Sequence, residues 1–260
     1  MKIVVCVKQT ADTAATVTVQ KGEVSWGDTP LVLNPWDEYA VEEALLTKEK
    51  HGGTVTALSL GPEEAREALK QALTIGSDDA VLLSDPALND ADTLVVARAL
   101  AKAIEKLGEV DLAFFGRASV DSAAGILYAQ TARCLGWPCL SQVAGLSALD
   151  PASGGLTVER LLQEGRQVVQ AKLPAVISVV KEINEPRYPS FMGIRKASRA
   201  EIPVWSAADV GMSDAPAANV SWPEIVAPPR VEVTCEFIEG DSPQEQANRL
   251  ADRLIEEKLI

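Results

Sequence analysis

The feature that most restricts the fold of this sequence is a series of short apolar runs separated by longer stretches with helical spacing. Most of the runs are nearly continuous in Val, Ile, Leu and Ala and do not alternate with polar residues. Strands of this kind are typical of a parallel sheet that helices cover on both faces. We therefore expect an α/β fold with a doubly wound, mostly parallel sheet. The predicted strands are Lys2–Val7, Thr54–Leu60, Ala80–Leu83, Val110–Phe115 and Val176–Val180.

Helices are predicted between these strands from capping residues and apolar spacing. Asn34 is a strong N-cap candidate, and Pro35 suits the first helical position. Gly52 and Gly53 would end the helix that they begin. Other predicted helices run from Pro62 to Gly76, over Asp92–Leu107 and from about Ser122 to Leu135, and a small hairpin is predicted around Lys21 and Gly22.

The composition of the chain changes at about residue 202. Residues 1–202 contain all of the predicted strands above and form the predicted α/β domain, whereas residues 203–230 carry five prolines without periodicity. We interpret residues 203–260 as an extended arm, with a further strand at Val231–Phe237 and a terminal helix that starts at Ser242. Two placements stay open for this helix, on its own domain or on a neighbouring subunit.

Composition and charge exclude several classes of protein. The net charge of −13 disfavours a nucleic-acid partner, because phosphate binding needs a basic surface. Four cysteines without a CxxC pair and a single histidine give no expectation of a metal site. No signal-peptide pattern and no run of roughly 18 apolar residues is seen, so a cytoplasmic location is expected.

The sequence offers no obvious catalytic side chains. Ser119, Asp121 and Ser122 lie close together in sequence, but a hydrolytic triad also needs a histidine. His51 is expected on a solvated helix end beside Lys48. We therefore expect no catalytic residues, and a binding or carrier role is favoured over an enzyme.

Ligands of an open parallel sheet bind beyond the carboxyl ends of its strands, where the strand order reverses. Gly116–Gly125 is one of four segments expected there. It has small residues and an acid before a predicted helix, so its backbone N–H groups could approach a phosphate. No GxGxxG or GxxxxGK[ST] motif occurs, and a turn that only lets the helix pack is an equal alternative. The segments expected to meet are Cys6–Thr13, Asn34–Asp37, Leu60–Pro62 and Gly116–Gly125.

Residues 184–202, called segment 184–202 below, interrupt the strand pattern with a long irregular stretch. Phe191 and Met192 stand beside the basic residues Arg195, Lys196 and Arg199. Long loops inside compact domains are commonly functional, and apolar anchors beside cations indicate a docking surface. An alternative of equal weight is a surface loop whose Phe191 folds back into the core.

Several motifs in order resemble the beta subunit of electron transfer flavoprotein, and together they cover nearly the whole chain. They are Lys2–Lys8, Asn34–Glu43, Lys172–Ala175, the NEPRY sequence at Asn184–Tyr188 and the closing helix. The resemblance implies a Rossmann-like, adenine-nucleotide-hydrolase-like fold and an alpha subunit that holds most of the FAD. It also implies that the arm and terminal helix pack on that subunit. Electrons would move through the flavin, with the protein supplying position and electrostatics.

The resemblance also implies two sets of site residues. The partner-binding set would anchor in a pocket of an acyl-CoA-dehydrogenase-like donor, although the family usually has an aliphatic anchor at the tip: Phe191, Met192, Gly193, Ile194, Arg195 and Lys196. In the cofactor-binding set, Thr13 would approach the flavin of the alpha subunit, and the others would enclose an adenine nucleotide: Cys6, Thr13, Asn34, Pro35, Trp36, Asp37, Leu60, Val120, Asp121, Ser122, Ala123, Ala124, Gly125 and Ile126.

The family has two branches, which differ in the nucleotide held by the beta subunit. One branch holds AMP as a structural ligand, and the other holds a second FAD and bifurcates electron pairs. Residues Lys8–Thr13 and Ala91–Thr93 resemble the second branch, but fewer Thr and Gln donors follow Asp121 than the family usually has. We favour AMP, with FAD as the alternative, and a membrane quinone reductase is an expected downstream acceptor.

Two readings from other classes also remain open. One is a stand-alone nucleotide-binding module of the universal-stress type, which lacks a long arm and a NEPRY-type loop. The other is an enzyme that acts on an adenylated substrate, which the missing phosphate motif disfavours.

Overall fold

The computed structural model describes residues 1–89, 91–213, 218–222, 224–229 and 235–260, and these form thirteen strands and six α-helices. The strands are β1 (Lys2–Cys6), β2 (Gln9–Ala11), β3 (Thr18–Gln20), β4 (Glu23–Ser25), β5 (Leu31–Leu33), β6 (Thr54–Leu60), β7 (Asp79–Leu83), β8 (Leu112–Gly116), β9 (Cys139–Asp150), β10 (Gly155–Leu162), β11 (Gly165–Lys172), β12 (Ala175–Val179) and β13 (Val204–Trp205). The helices are α1 (Pro35–His51), α2 (Arg66–Ile75), α3 (Thr93–Leu107), α4 (Leu127–Leu135), α5 (Phe191–Ala197) and α6 (Pro243–Glu256).

Nine of the described strands form one sheet in the order β11-β10-β9-β12-β8-β1-β6-β7-β13. All neighbours from β9 to β13 are parallel. The five strands predicted from apolar runs are β1, β6, β7, β8 and β12, and they form the centre of this parallel part. Their side chains are buried, as Val4, Phe114 and Ile177 show, because helices cover both faces.

Alternate residues of β1 belong to two separate apolar clusters. Ile3 and Val5 pack with the buried residues of α1 and α2. Val4 and Cys6 pack with the buried residues of α3. Since successive side chains of a strand point to opposite faces, the helices lie on both sides of the sheet. The predicted doubly wound α/β fold is confirmed.

An antiparallel extension of the sheet was not predicted. Strands β9, β10 and β11 continue the sheet beyond β12, and β10 pairs antiparallel with both neighbours. Most residues of β11 are exposed, so this region lacks the continuous apolar runs that revealed the central strands. Shifts in the register of β10 against β9 at Thr157 and Glu159 further interrupt the alternation that a half-buried strand would show.

The helix predicted from Ser122 begins five residues later, at Leu127. Ala123 and Gly125 have φ angles of 49° and 61°, in the left-handed region that a right-handed helix excludes. Residues 122–126, for which the sequence predicted a helix, therefore form an irregular loop before α4. The hairpin around Lys21 and Gly22 was predicted correctly and is formed by β3 and β4.

The chain divides into two compact units, Met1–Ile225 and Val226–Ile260. The first unit extends beyond the predicted boundary at residue 202, because β13 pairs with β7 at the sheet edge. In the second unit, α6 starts as predicted: the Ser242 hydroxyl accepts a hydrogen bond from the Glu245 N–H. The strand predicted at Val231–Phe237 falls largely outside the described residues. None of the described helices combines the length and apolar character that a bilayer crossing requires.

Candidate nucleotide cleft

The strand order reverses between β1 and β8. The chain passes from β1 to β6 and β7 on one side, and returns to β8 and β12 on the other side. Cys6 and Phe115 are register partners at the carboxyl ends of these two strands. This is the switch point at which open α/β sheets bind ligands, and α1 begins directly beside it.

Asn34 connects the start of α1 to both strands at the switch point. Its backbone N–H donates to the Lys8 carbonyl after β1 at 2.9 Å. Its side-chain Nδ2 donates to the Ala118 carbonyl at 2.8 Å, and its Oδ1 accepts from the Val120 N–H at 3.2 Å. Asn34 is the N-cap residue by position, as predicted, but its side chain makes no capping bond, because these contacts with the loop after β8 use it.

Asp37 is a buried carboxylate at the base of the cleft. It accepts a hydrogen bond from the Lys8 N–H at 2.8 Å. Gly116 lies so close that a Cβ there would overlap Asp37 and lie 2.7 Å from the Trp36 carbonyl carbon. Burial raises the pKa of Asp37 to about 7, although hydrogen bonds from Lys8, Asn34 and Gly116 oppose this shift.

Residues 117–126, called the cleft loop below, connect β8 to α4. The Asp121 carboxylate forms an ion pair with Lys8 at 2.6 Å, and the Ser119 and Ser122 hydroxyls lie 3.0 Å apart. Although burial opposes it, the hydrogen bond from Lys8 contributes to a lowered pKa of Asp121. At Ile126, α4 starts without a side-chain cap, which leaves backbone N–H groups of its first turn available to an anion.

The structure brings together only part of the predicted cofactor-binding set. Asn34, Asp37, Val120 and Asp121 are joined through direct bonds or through Lys8. Ser122 joins them by donating its backbone N–H to the Asp121 carboxylate at 2.8 Å. The remaining members lie on the same segments: Cys6 ends β1, Pro35 and Trp36 open α1, Leu60 ends β6, Thr13 is exposed after β2, and Ala123, Ala124, Gly125 and Ile126 belong to the cleft loop.

The Cys6 side chain is buried against the core. Burial raises the pKa of its thiol far above the ordinary value, and the nearby Asp37 adds to the shift. The thiol therefore stays protonated and behaves as a small apolar side chain.

Three residues lie in the segments that were predicted to meet here, but they were not in the predicted cofactor-binding set. Lys8 contributes its backbone to Asn34 and Asp37 and its ammonium to Asp121. Gly116 permits the close approach of α1, and the Arg117 guanidinium lies 5.1 Å from the ring of Trp36. A glycine or a cation directly after a buried strand is the signal that could have identified them.

Segment 184–202 contains a short helix, α5, where a loop was predicted. The Ser190 hydroxyl caps this helix by accepting from the Gly193 N–H at 3.0 Å. Phe191 is 93% exposed, and Met192 and Ile194 are also exposed. The alternative in which Phe191 folds into the core is therefore wrong, and Arg195 and Lys196 lie on the same helix.

The fold and the contacts at its switch point define the class of the protein: a doubly wound α/β domain in which α1 meets the segments that follow β1 and β8. Comparison with known sequences gives the family. The electron transfer flavoprotein domain matches residues 27–210. The chain is 37% identical to the electron transfer flavoprotein subunit beta of Clostridium acetobutylicum, over 83% of this chain and 82% of that protein.

Two further relatives extend this similarity. Over the full length of both proteins, the chain is 34% identical to the caffeyl-CoA reductase–Etf complex subunit CarD of Acetobacterium woodii. It is 38% identical to protein FixA of Azorhizobium caulinodans, over 82% of this chain and 78% of that protein. The chain belongs to the electron transfer flavoprotein family, and the beta-subunit resemblance of its motifs is confirmed.

Proposed function

We propose that this chain is the beta subunit of a heterodimeric electron transfer flavoprotein with an AMP-type nucleotide in its switch-point cleft. Its alpha subunit holds most of the FAD, and the pair takes electrons from acyl-CoA-dehydrogenase-like flavoenzymes. A downstream acceptor, for which a membrane quinone reductase is the candidate, then receives them. The observation that carries the proposal is the Asn34 contact set, because it builds a cleft from three separate segments at the place where this fold binds nucleotides.

The residues of the cleft fit an adenine nucleotide. The uncapped start of α4 supplies backbone N–H groups, and Gly125 and Ala123 give the cleft loop the left-handed turns that expose them. Lys8 supplies a cation beside the loop. A phosphate bound here would compete with Asp121 for Lys8, so the ion pair is expected to rearrange when the nucleotide binds.

A second FAD in the cleft is the alternative. Full-length similarity to CarD, whose name places it in a caffeyl-CoA reductase–Etf complex, supports this alternative. Asp92 gives no support for a second FAD. One of its carboxylate oxygens accepts from the Leu94 and Val95 N–H groups, and the other accepts from the Asn219 N–H. This residue caps α3, so its place in the sequence has a structural reason. The few side-chain donors of the cleft loop favour the single phosphate of AMP.

Counting the bound nucleotides tests the proposal. The chain is co-expressed with an alpha subunit of its own genome, and nucleotides are released by denaturation and separated by chromatography. One FAD and one AMP per heterodimer are expected, whereas two FAD and no AMP would establish the alternative. A colourless chain that is stable alone and does not bind an alpha subunit would contradict the heterodimer proposal.

The exposed face of α5 is the proposed docking site for the donor. Phe191, Met192 and Ile194 form an apolar patch beside Arg195 and Lys196, and interfaces of this kind depend on a few apolar anchors. Phe191→Ala should lower the rate of electron transfer from a reduced acyl-CoA dehydrogenase roughly tenfold or more. FAD content and melting temperature should stay unchanged. Leu46→Ala, an exposed apolar side chain on α1, is the matched control.

A further inference from the structure

Segment 184–202 is attached to α1 by an ion pair that lies outside the docking face. The guanidinium of Arg187 donates to both carboxylate oxygens of Glu42, from Nε to Oε2 at 2.8 Å and from Nη2 to Oε1 at 2.9 Å. The Arg187 backbone N–H donates to the same carboxylate at 3.1 Å. Such a planar, two-bond contact fixes direction as well as distance.

The Glu42 carboxylate is buried, so it depends on Arg187 as its charged partner. The Glu42 side chain is 5% exposed and the Arg187 side chain 35% exposed. A carboxylate at this depth is strongly destabilised when its partner is removed. Arg187 also reaches Glu49 at 2.6 Å, and the hydrogen bonds with both carboxylates raise its pKa. The guanidinium therefore stays charged and stays on α1.

The neighbouring Asn184 adds a second attachment to the same helix. Its Nδ2 donates to the Tyr39 carbonyl at 3.1 Å and to the Glu43 carboxylate at 3.0 Å. Residues 184–187 are thus bound to α1 through side chains at both ends of this short stretch. Three exposed residues, 188–190, then connect this stretch to α5.

The far side of the docking face is attached to α2 and to the residues that directly follow it. Gly193 lies so close to the Thr74 carbonyl that an added Cβ would overlap it, and Lys196 Nζ donates to the Ser77 carbonyl at 2.9 Å. Ala197 is buried in the core. The apolar patch is therefore the outer face of a short helix whose inner face is packed and whose entry is bound to Glu42.

We propose that Arg187 is a positioning residue, which holds the apolar face of α5 in its docking geometry before the donor arrives. This inference rests on the proposed docking function. Ordering a mobile segment during association lowers affinity, and a segment that is already ordered avoids that loss. The role of Arg187 is exerted through Glu42 and not through contact with the donor.

The first test is structural and needs no donor. In the purified heterodimer with its flavin, hydrogen exchange of the backbone amides between residues 185 and 200 is measured by mass spectrometry. Arg187→Gln should raise the exchange rates there roughly tenfold or more and leave β1 and β8 unchanged. Lys50→Gln, which removes an exposed cation from the same helix, is the control. Unchanged exchange in Arg187→Gln would overturn the inference.

The second test separates docking from electron transfer. An acyl-CoA dehydrogenase reduced by its acyl-CoA substrate is the probe, and the heterodimer is the varied reactant. Arg187→Gln should raise KM roughly tenfold and change kcat less than about twofold. If Phe191→Ala raises KM and Arg187→Gln does not, the positioning inference fails while the docking proposal stands. If neither raises KM, the docking proposal fails as well.

A double-mutant cycle distinguishes positioning from direct recognition. If Arg187 acts through Glu42, the KM of the double variant Arg187→Gln/Glu42→Gln should match that of the more affected single variant. Multiplicative effects would show that Arg187 contacts the donor itself, which would overturn the inference. Should Glu42→Gln fail to fold, the cycle is run with Glu49→Gln, because Glu49 is exposed and also holds the guanidinium on α1. A double variant that matches the more affected single variant then supports positioning through α1, and multiplicative effects overturn it.

Discussion

The cleft loop and segment 184–202 each come after a central strand of the sheet, and they are held in different ways. Segment 184–202 is bound on one side through the buried carboxylate of Glu42 and on the other through the close contact of Gly193 with the Thr74 carbonyl. The cleft loop is held to α1 by the Asn34 side chain, and its ion pair from Asp121 to Lys8 is exposed to solvent.

The difference follows from what each stretch is proposed to meet. A protein partner binds a surface whose shape exists beforehand, so a rigid docking face is an advantage. A nucleotide brings its own charge and hydrogen-bond acceptors, and these can order backbone N–H groups that are free beforehand. We therefore expect segment 184–202 to be ordered in every state, and the cleft loop to gain most of its order from the ligand.

We expect the free energy of unfolding to depend on pH through Asp37, a carboxyl group that belongs to the base of the cleft and not to segment 184–202. The pKa of Asp37 is about 7 in the folded protein, against an ordinary value of 3.8. Between these values the unfolded carboxyl loses its proton and the folded one keeps it, so the free energy of unfolding falls as pH rises. The total change from this group is about 4 kcal/mol, since one pKa unit corresponds to about 1.4 kcal/mol.

Asp37→Asn should remove the part of the pH dependence of stability that comes from this carboxyl group. Urea unfolding of the wild type and the variant is measured from pH 4 to pH 8, and the difference between the two curves is the observable. The wild type should lose stability relative to the variant up to about pH 7 and not above it. Parallel curves across the whole range would show that the carboxyl is already ionised at low pH.

Gly193→Ala should break the attachment of α5 to α2. Because the new Cβ would overlap the Thr74 carbonyl, the helix must shift, with a loss of roughly 3 kcal/mol in the free energy of unfolding. Helix propensity alone would favour alanine by about 1 kcal/mol, so a stabilised variant would contradict the close packing. The control is Gly145→Ala, where the nearest atom to the new Cβ is 3.8 Å away.

Local features of the chain could be predicted from the sequence, whereas contacts between distant residues could not. Continuous apolar runs identified the central strands, because a strand covered on both faces needs apolar side chains throughout. Asn34 with Pro35 identified the start of α1, because the fixed φ angle of Pro35 suits the first helical position even though the Asn34 side chain makes no capping bond. The Asn34 side chain bonds Val120, which is 86 positions away in the sequence. Gly116 lies against Asp37 and Trp36, which are also distant in the sequence. No local pattern reveals either contact. Strand β11 and the helix in segment 184–202 were missed because their residues are largely exposed. Strands β9 and β10 mix buried with partly exposed residues and have shifts in their register, so they lack a continuous apolar run.

Asn34→Ala should loosen the cleft loop without disturbing α1. The substitution leaves the Ala118 carbonyl and the Val120 N–H without their partner, and two lost hydrogen bonds correspond to about 2 kcal/mol. Hydrogen exchange should increase in residues 117–122 and stay unchanged in residues 38–45. Ser242→Ala is the matched control, because that side chain does cap its helix. Fraying of α1 in the Asn34 variant would mean that the side chain acts as a cap after all.

The smallest effect is expected from the ion pair between Lys8 and Asp121. Their side chains are 45% and 23% exposed, and pairs of this kind contribute less than about 1 kcal/mol. Lys8→Gln should therefore change stability much less than Arg187→Gln, although both substitutions break an ion pair. Urea unfolding at low and at high salt checks this, because salt screens the exposed pair more than the buried one. A loss for Lys8→Gln as large as that for Arg187→Gln would show that the cleft loop is as firmly held as segment 184–202 before any nucleotide binds.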